Sequence, residues 1–454
     1  MCSAITMFAQ QSGYKSSPLE HMWLNVGNAG FTPGTAEFPC LAMSPAAVPY
    51  VAYVDALDIF NFTVSVKKLV GNTWQYVGLA GFDTVNLSPV NLGFSPSGEL
   101  YVAYSDYYSS GREAVRKFDG TNWVTVGIPG FSGGSASYSA MAFNQQEEIF
   151  VAYTDYNHAR KATVMKFDGA NWVTIGSPGF SQGETEYMSI AISPSGEPYV
   201  AYQDWSLSQK ITVMRFDGTY WLNVGIPGIS LGESYWASIV FNPSGDPCVA
   251  FMDGGNSYKA TVMKFDGNNW VSLGNAGFSP GSAQCPNLAF SPSGQPYVSF
   301  NDETVGFKTS LMIFNGMNWV NVGNPGFSAG QSLYTSLGFG PSGQPYLAYQ
   351  DMTNFNRATV MKYDSVAVGL NEQESPLFSV YPNPASEIIR IKPGRTTPEG
   401  LFYITNVVGK RVIERQVGVS GLTVDISGLP AGVYFIRHED EREGKAVKLI
   451  IQRD

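Results

Sequence analysis

The sequence predicts an all-β protein, a seven-bladed β-propeller followed by a small C-terminal β-sandwich. The first observation behind this prediction is a tryptophan that returns after 51 residues once and after 49 residues five times. A period near 50 residues is typical of one supersecondary unit copied along a chain. The second observation is that each copy contains four short, alternating apolar runs, the pattern of a propeller blade. The periodic residues are Trp23, Trp74, Trp123, Trp172, Trp221, Trp270 and Trp319.

One copy, residues 189–228, illustrates how the strands are assigned. Its apolar runs SIAI, PYVAY, ITVMRF and WLNVG are rich in the β-branched and aromatic residues that favour strands. SPSG separates the first two runs, and FDG precedes the fourth, where Asp-Gly suits a tight hairpin. We therefore predict four antiparallel strands per blade. We expect the seven periodic tryptophans to be buried between blades, and Trp205 and Trp236, which fall outside the period, to be more exposed.

The phase of the repeats predicts how the ring closes. The first tryptophan strand, at Trp23, precedes any complete unit, whereas the last unit, ending MKYDSVAVGL, has no tryptophan. Residues 22–27 should therefore pair with residues 358–363 and complete the last blade, which removes an open sheet edge. The propeller is predicted to occupy residues 20–366.

The first 19 residues suggest an export signal. The phrase MCSAITMFAQQSG resembles the end of a secretory signal peptide, although the basic n-region and most of the apolar h-region are missing. We interpret residues 1–19 as the remnant of a signal peptide with an N-terminal segment. The alternative is an ordinary N-terminus without a targeting role.

Composition limits the classes of function. The net charge is −10, and residues 370–454 hold 11 basic and 11 acidic residues, so the whole net charge lies in residues 1–369. An acidic propeller argues against nucleic acid as a partner, and no apolar run is long enough to span a membrane. The cysteines and histidines lack metal-ligand spacing, and no phosphate-binding fingerprint is present. We predict no metal site, no cofactor and no catalytic residue, and we expect a monomer.

The sequence predicts that the C-terminal region forms a separate domain. A polar linker, residues 367–376, is followed by alternating strands with Gly and Pro punctuation over residues 377–454. This region resembles the C-terminal sorting domain of proteins exported by the type IX secretion system of Bacteroidetes. The residues that carry the resemblance lie in YPNPA, VGK, LPAGVY and the terminal lysines: Pro382, Asn383, Pro384, Gly409, Gly432, Tyr434, Lys445 and Lys448.

The resemblance has implications for the fate of the protein. It implies a Sec signal peptide, passage through the type IX secretion machinery, and cleavage of the tail. The mature protein would then be extracellular or displayed on the outer cell surface. Residues 20–366 likewise resemble seven-bladed propeller repeats of secreted bacterial proteins, a resemblance that implies no activity.

A charged pair recurs at the end of the second strand. An aspartate closes this strand in every blade, and in six blades a basic residue follows six positions later. Both residues flank one short loop, so we interpret them as structural ion pairs rather than as a ring of catalytic or cation-binding carboxylates. The pairs are Asp106 with Arg112, Asp155 with Lys161, Asp204 with Lys210, Asp253 with Lys259, Asp302 with Lys308, and Asp351 with Arg357.

The loops between these paired residues differ in every blade and carry aromatic side chains. The neighbouring connections between blades should lie on the same face and carry more aromatic residues, among them Phe38, Tyr138 and Tyr334. A rigid ring with diverse aromatic loops on one rim is typical of a binding surface. The alternative is ordinary loop variation. We predict a ligand site centred on blades four and five, formed by Trp205, Tyr235, Trp236, Tyr187, Tyr156, Tyr258 and Tyr107.

These observations favour a secreted or surface-displayed binding module for a glycan or a surface protein. The alternative is an extracellular hydrolase or lyase with its active site at the mouth of the propeller channel. An enzyme would require a cluster of unpaired acids or histidines in one or two blades only, and the sequence analysis identifies none.

Overall fold

The computed structural model describes residues 19–58, 61–367, 378–393, 400–418, 421–438 and 446–453. Two compact units are present, Glu20–Val366 and a unit that holds the C-terminal residues from Ala367. Within these ranges, no helix has the length and apolar character needed to cross a membrane. The proposed signal-peptide remnant and nearly all of the proposed linker lie outside the described residues.

The first unit is a seven-bladed propeller, as predicted, and each blade is an antiparallel sheet of four strands in sequential order. The first strands contact one another around the axis. They span Thr35–Met43, Asn91–Phe94, Ala136–Phe143, Thr185–Ile192, Ser234–Phe241, Ala283–Phe290 and Ser332–Phe339. The second strands are Pro49–Asp58, Leu100–Asp106, Ile149–Asp155, Pro198–Asp204, Pro247–Asp253, Pro296–Asp302 and Pro345–Asp351.

The third and fourth strands form the outer half of each blade. The third strands are Asn61–Val70, Arg112–Phe118, Lys161–Phe167, Lys210–Phe216, Lys259–Phe265, Lys308–Phe314 and Arg357–Ala367. The fourth strands are Thr73–Tyr76, Trp123–Thr125, Trp172–Thr174, Trp221–Asn223, Trp270–Ser272 and Trp319–Asn321, with Leu19–Asn25 as the seventh. A two-residue strand, Asp83–Thr84, pairs with the third strand of blade one.

Short 3₁₀ turns connect the second and third strands in five blades. Each turn begins after the aspartate that ends the second strand. The turns are Tyr156–His158, Trp205–Leu207, Gly254–Asn256, Glu303–Val305 and Met352–Asn354.

The ring closes as the phase of the repeats predicts. Leu19–Asn25 lies beside the third strand of the last blade and completes its sheet. The closure continues past this strand, because the Val26 N–H donates to the Val360 carbonyl and the Phe31 N–H donates to the Ala358 carbonyl. Both ends of the propeller are thereby held in one sheet.

The periodic tryptophans join neighbouring blades. Each indole N–H donates to a backbone carbonyl at the end of the preceding blade's fourth strand, with N···O distances of 2.7–3.0 Å. Six of the indoles also stack on a phenylalanine, as Trp172 does on Phe131 with ring centroids 3.9 Å apart. Gly127 permits this approach, since a Cβ there would lie 3.0 Å from the Trp172 ring. Burial is as predicted for Trp172, Trp221 and Trp319, while the other four are half-buried.

The C-terminal unit contains two antiparallel sheets. Phe378–Tyr381, Ile388–Pro393 and Leu422–Asp425 form one, and Arg411–Val417, Gly400–Asn406, Gly432–His438 and Val447–Ile451 form the other. A single apolar core lies between them and includes Ile389, Phe402, Ile436 and Leu449, each almost fully buried.

Candidate functional site

A β-bulge in the first strand of each blade shapes the propeller axis. In six blades the register with the second strand shifts, and the extra residue has a φ between 49° and 55°. This left-handed conformation is costly for any residue but glycine. The six residues are Phe38, Tyr138, Tyr187, Trp236, Cys285 and Tyr334. We call them the axial ring. They lie within the strands, whereas the sequence analysis had placed the aromatic members in the connections between blades.

The axial ring forms the wall of a central cavity of about 280 Å³, which we call the axial funnel. Three consecutive residues from every blade line it: 38–40, 89–91, 138–140, 187–189, 236–238, 285–287 and 334–336. Below the aromatic rings, small polar side chains connect adjacent blades. The Ser336 hydroxyl accepts a hydrogen bond from the Leu41 N–H at 2.9 Å, and the Asn287 amide oxygen accepts one from the Leu337 N–H at 2.9 Å.

The sevenfold pattern is broken at blade two. Its first strand begins only at Asn91, and Pro89 stands where the axial ring would carry an aromatic residue. A second cavity of about 570 Å³, which we call the blade-two groove, extends here from the funnel over the junction with blade three. Besides axial-ring residues, the groove is lined by Asn86, Leu87, Ser88, Ser105, Ser135, Ala136, Ser137, Tyr156 and Arg160. The site therefore combines aromatic faces with hydroxyl and amide groups on one side of the ring.

The lining of the groove includes a cation, Arg160, which two carboxylates neutralise. The guanidinium of Arg160 pairs with Glu184 at 2.8 Å and with Glu186 at 2.5 Å. Burial raises the pKa of Tyr138, and the carboxylate of Glu186 raises it further. Across the axis, burial raises the pKa of Tyr334 to about 12, with a smaller contribution from Glu37. The tyrosines therefore stay neutral hydrogen-bonding groups at physiological pH.

A buried acid that is not among the predicted site residues lies at the junction of blades two and three. Glu113 is fully buried, and none of the described residues donates a hydrogen bond to its carboxylate oxygens. Its backbone is paired with Ser105, which lines the groove. Burial raises the pKa of Glu113 to about 8, and the nearby Ser139 hydroxyl offsets a smaller part of that rise. The signal was available in the repeats, because the other blades carry Val64, Ala162, Ile211, Ala260, Thr309 and Ala358 at this position.

The predicted ligand residues are only partly brought together. Tyr187, Tyr235 and Trp236 contact one another with ring centroids 5.5–5.9 Å apart, and Tyr258 lies 6.4 Å from Tyr235. Tyr156 lines the groove.

Four of the seven predicted residues line neither the funnel nor the groove. They are Trp205, 44% exposed, Tyr107, 57% exposed, and Tyr235 and Tyr258. Trp236 is half-buried rather than exposed, because the bulge turns its side chain toward the axis. The blade-two groove thus lies over the junction of blades two and three, whereas the sequence predicts a ligand site centred on blades four and five.

The recurring Asp–basic pairs are not ion pairs, which corrects the prediction. Each Asp faces its basic partner in backbone register, but none of the six pairs forms a salt bridge: Asp106 and Arg112, Asp155 and Lys161, Asp204 and Lys210, Asp253 and Lys259, Asp302 and Lys308, Asp351 and Arg357.

The carboxylates cap the turns instead. The carboxylate of Asp204, for example, accepts hydrogen bonds from the Ser206 N–H at 3.0 Å and from the Thr212 hydroxyl at 3.1 Å. A buried carboxylate is satisfied by fixed neutral donors without the cost of desolvating a lysine.

The sorting-signal residues have structural roles within the C-terminal unit. The side chain of Asn383 donates to the Lys448 carbonyl at 2.7 Å and accepts from the Ile450 N–H at 2.8 Å, so the YPNPA segment is joined to the last strand. Pro382 and Pro384 flank this contact. Tyr434 donates to the Pro430 carbonyl at 3.0 Å. Lys445 lies outside the described residues.

Two glycines of the signal are also placed by the structure. Gly409 closes the turn after Asn406, with its N–H donating to the Asn406 carbonyl at 3.0 Å. Gly432 begins the strand that pairs with Val447–Ile451.

Comparison with known families confirms the nature of the tail. Residues 379–452 match the model of the secretion system C-terminal sorting domain. This domain marks the protein for type IX secretion, with a cell-surface or extracellular destination. A search of curated proteins finds no match to the chain.

Solved structures with a similar fold include enzymes and a lectin. A fungal alcohol oxidase in complex with copper is 11% identical, with a TM-score of 0.50, and the match covers 97% of this chain and 100% of that one. An ulvan lyase is 12% identical over 74% of this chain and 94% of its own, with a TM-score of 0.47. A lectin of Aleuria aurantia is 17% identical over 67% and 100%, with a TM-score of 0.42. At such identities the likeness shows the fold alone.

Proposed function

We propose that the protein is a secreted glycan-binding propeller whose ligand lies in the axial funnel and the blade-two groove. The observation that carries this proposal is the axial ring, in which five of six bulge residues are aromatic despite a left-handed backbone. Each such residue costs about 1 kcal/mol or more relative to glycine. Glycine is common in this sequence, so the aromatic side chains at these positions are best explained by what they contact.

The composition of the groove suits a sugar. Aromatic faces pack against the C–H face of a pyranose, while serine, asparagine and tyrosine groups fix its hydroxyls by hydrogen bonds. The groove is lined by the aromatic residues Tyr138, Tyr187 and Trp236 and by polar residues that include Asn86, Ser105 and Ser137. Its volume of about 570 Å³ lies within the usual range for small-ligand sites. Contacts of this kind should depend only weakly on salt.

The experiment is a glycan-array screen of the secreted protein, followed by calorimetric titration of the best ligand into two variants. Trp236→Ala should weaken binding at least tenfold. The fold should tolerate this truncation, because Cys285 occupies the equivalent position in blade six. The matched control is Trp205→Ala, which removes an exposed indole outside both cavities and should leave affinity unchanged. Equal losses in both variants, or no loss in Trp236→Ala, would contradict the proposal.

The enzymatic alternative is tested with the same ligands. Each glycan that binds is incubated with the protein and examined for new reducing ends or unsaturated products. If the protein converts a glycan in a preparation free of other enzymes, this result would favour a hydrolase or lyase function over a binding function.

A further inference from the structure

A third cavity lies at the ring closure, separate from the axial funnel and the groove. Its volume is about 520 Å³. It lies between the fourth strand of blade one and the connection that enters that blade. The lining residues are Asn28, Ala29, Gly30, Phe31, Thr32, Pro33, Lys67, Thr73, Trp74, Tyr76 and Arg357, of which two are cationic and none is acidic.

Lys67 is the central feature of this cavity. Its side chain is buried, with 7% of the residue exposed. The ammonium donates to the Phe31 carbonyl at 3.2 Å and lies 4.3 Å from the centre of the Tyr76 ring. An ammonium has three N–H groups, so this one hydrogen bond leaves two for another acceptor. In the part of the chain that the structure describes, no carboxylate forms a salt bridge with Lys67.

In blade two, the residue at the position equivalent to Lys67 is also a cation, and a carboxylate of the same chain pairs with it. Arg116 in blade two is equivalent to Lys67 in blade one. Arg116 is paired in register with Thr125, two residues after Trp123, and Lys67 is paired with Tyr76, two residues after Trp74. Arg116 forms a salt bridge with Asp83 at 2.5 Å. Asp83 comes directly after Phe82, which stacks on Trp123 of blade two. In blade one, Phe31 stacks on Trp74 and the residue after it is Thr32.

The remaining blades carry no cation at this position. They have Met165, Met214, Met263, Met312 and Met361, whose side chains are buried or partly buried at the blade junctions. Lys67 is thus the one member of the series that combines a buried charge with an open cavity and a neutral residue at the counter-ion position. The buried carboxylate of Asp55 acts on Lys67 electrostatically but forms no salt bridge with it, so the ammonium is only partly neutralised. A buried ammonium is costly unless it is paired, and a bound anion would reduce that cost.

We infer that this cavity binds an oxyanion, a carboxylate or sulfate group of a small molecule or a sugar, between Lys67 and Arg357. Arg357 lines the same cavity and forms no salt bridge within the described residues. Burial lowers the pKa of Lys67, and the charge of Asp55 opposes part of that shift. A bound anion would favour the ammonium form in the same way. This site is independent of the glycan proposed for the funnel.

The test uses the full-length protein and the variant Lys67→Met, which introduces the residue found at this position in five blades and should fold normally. Binding of sodium sulfate, D-glucuronate and the neutral D-glucose is measured by calorimetry at constant ionic strength. Wild type should bind sulfate or glucuronate, and Lys67→Met should lose at least tenfold in affinity. The control is Lys68→Met, which removes the same charge from a side chain that lies over Tyr50 instead, at 5.9 Å from its ring centre.

The probes also separate the two sources of the anion. Preference for glucuronate over sulfate would identify a sugar carboxylate, and the reverse would identify a sulfate group. Glucose binding as strong as glucuronate binding, unchanged affinity in Lys67→Met, or no binding of either anion by wild type would overturn the inference. The proposed glycan site lies in other cavities, so none of these outcomes would support or contradict the glycan proposal.

Discussion

Glu113 should make the propeller less stable as the pH rises from 5 toward 8. Its carboxyl group is fully buried and accepts no hydrogen bond from the residues that the structure describes, and burial raises its pKa from 4.5 to about 8. A carboxyl with a raised folded-state pKa contributes no penalty below about pH 4.5, where both states are protonated. Above that pH the unfolded state releases the proton and the folded state does not, so folding becomes less favourable until the pH passes the folded pKa.

The size of the effect follows from the shift. Each pH unit between the two pKa values changes the free energy of unfolding by about 1.4 kcal/mol. Between pH 5 and pH 7 this amounts to about 3 kcal/mol, and the change levels off above about pH 8. The variant Glu113→Gln keeps the shape of the side chain and cannot ionise. Its stability relative to wild type should therefore rise by about 3 kcal/mol over the same interval.

Tryptophan fluorescence during denaturant unfolding is a suitable measurement. All nine tryptophans lie between Trp23 and Trp319, so the signal reports the propeller and not the C-terminal unit. The matched control is Glu99→Gln in the same blade. Hydrogen bonding to Lys117 lowers the pKa of Glu99, so it is ionised in both states throughout this range and should add no pH dependence. If the stability difference between wild type and Glu113→Gln is the same at pH 5 and pH 7, the reasoning about this carboxyl is refuted.

Three further predictions concern the architecture, each checked by denaturant unfolding. Trp172→Ala should cost about 3–5 kcal/mol, because it removes a buried ring and its hydrogen bond to the preceding blade. Trp205→Ala should cost less than about 1 kcal/mol. Similar losses in the two variants would contradict the assignment of the two indoles. Asp204→Ala should cost about 1–3 kcal/mol by leaving buried donors unpaired, and Lys210→Ala should be nearly neutral; the opposite order would restore the ion-pair interpretation. Deletion of residues 1–30 should lower stability by exposing a sheet edge, and unfolding identical to that of the full chain would argue against the closure.

The blade architecture was accessible from the sequence because every copy repeats the same packing requirement. The spacing of Trp123 and Trp172 reflects a single geometry, an indole that bonds to the preceding blade and stacks on a phenylalanine. Ring closure followed from the phase of Trp23 for the same reason. A local pattern that recurs in every blade leaves few alternative folds.

The shape of the candidate site could not be predicted from the sequence in the same way. Alternation of apolar residues does not reveal a bulge, and Tyr138 or Trp236 in a left-handed conformation has no sequence signature comparable to glycine. Asp204 was placed correctly at the end of its strand, but sequence spacing could not decide between a lysine and the turn N–H as its partner. The residues that break the repeat were visible in the sequence, since Glu113 stands where the other blades carry uncharged residues and Lys67 where five blades carry methionine. Their importance depends on burial, which only the structure provides.

The most direct test of the proposed site is a crystal structure of the secreted protein with the best glycan from the array. Electron density for the sugar should lie in the axial funnel or the blade-two groove, against Tyr138, Tyr187 and Trp236. Density on the outer loops, around Trp205 or Tyr107 and away from the axis, would contradict the account.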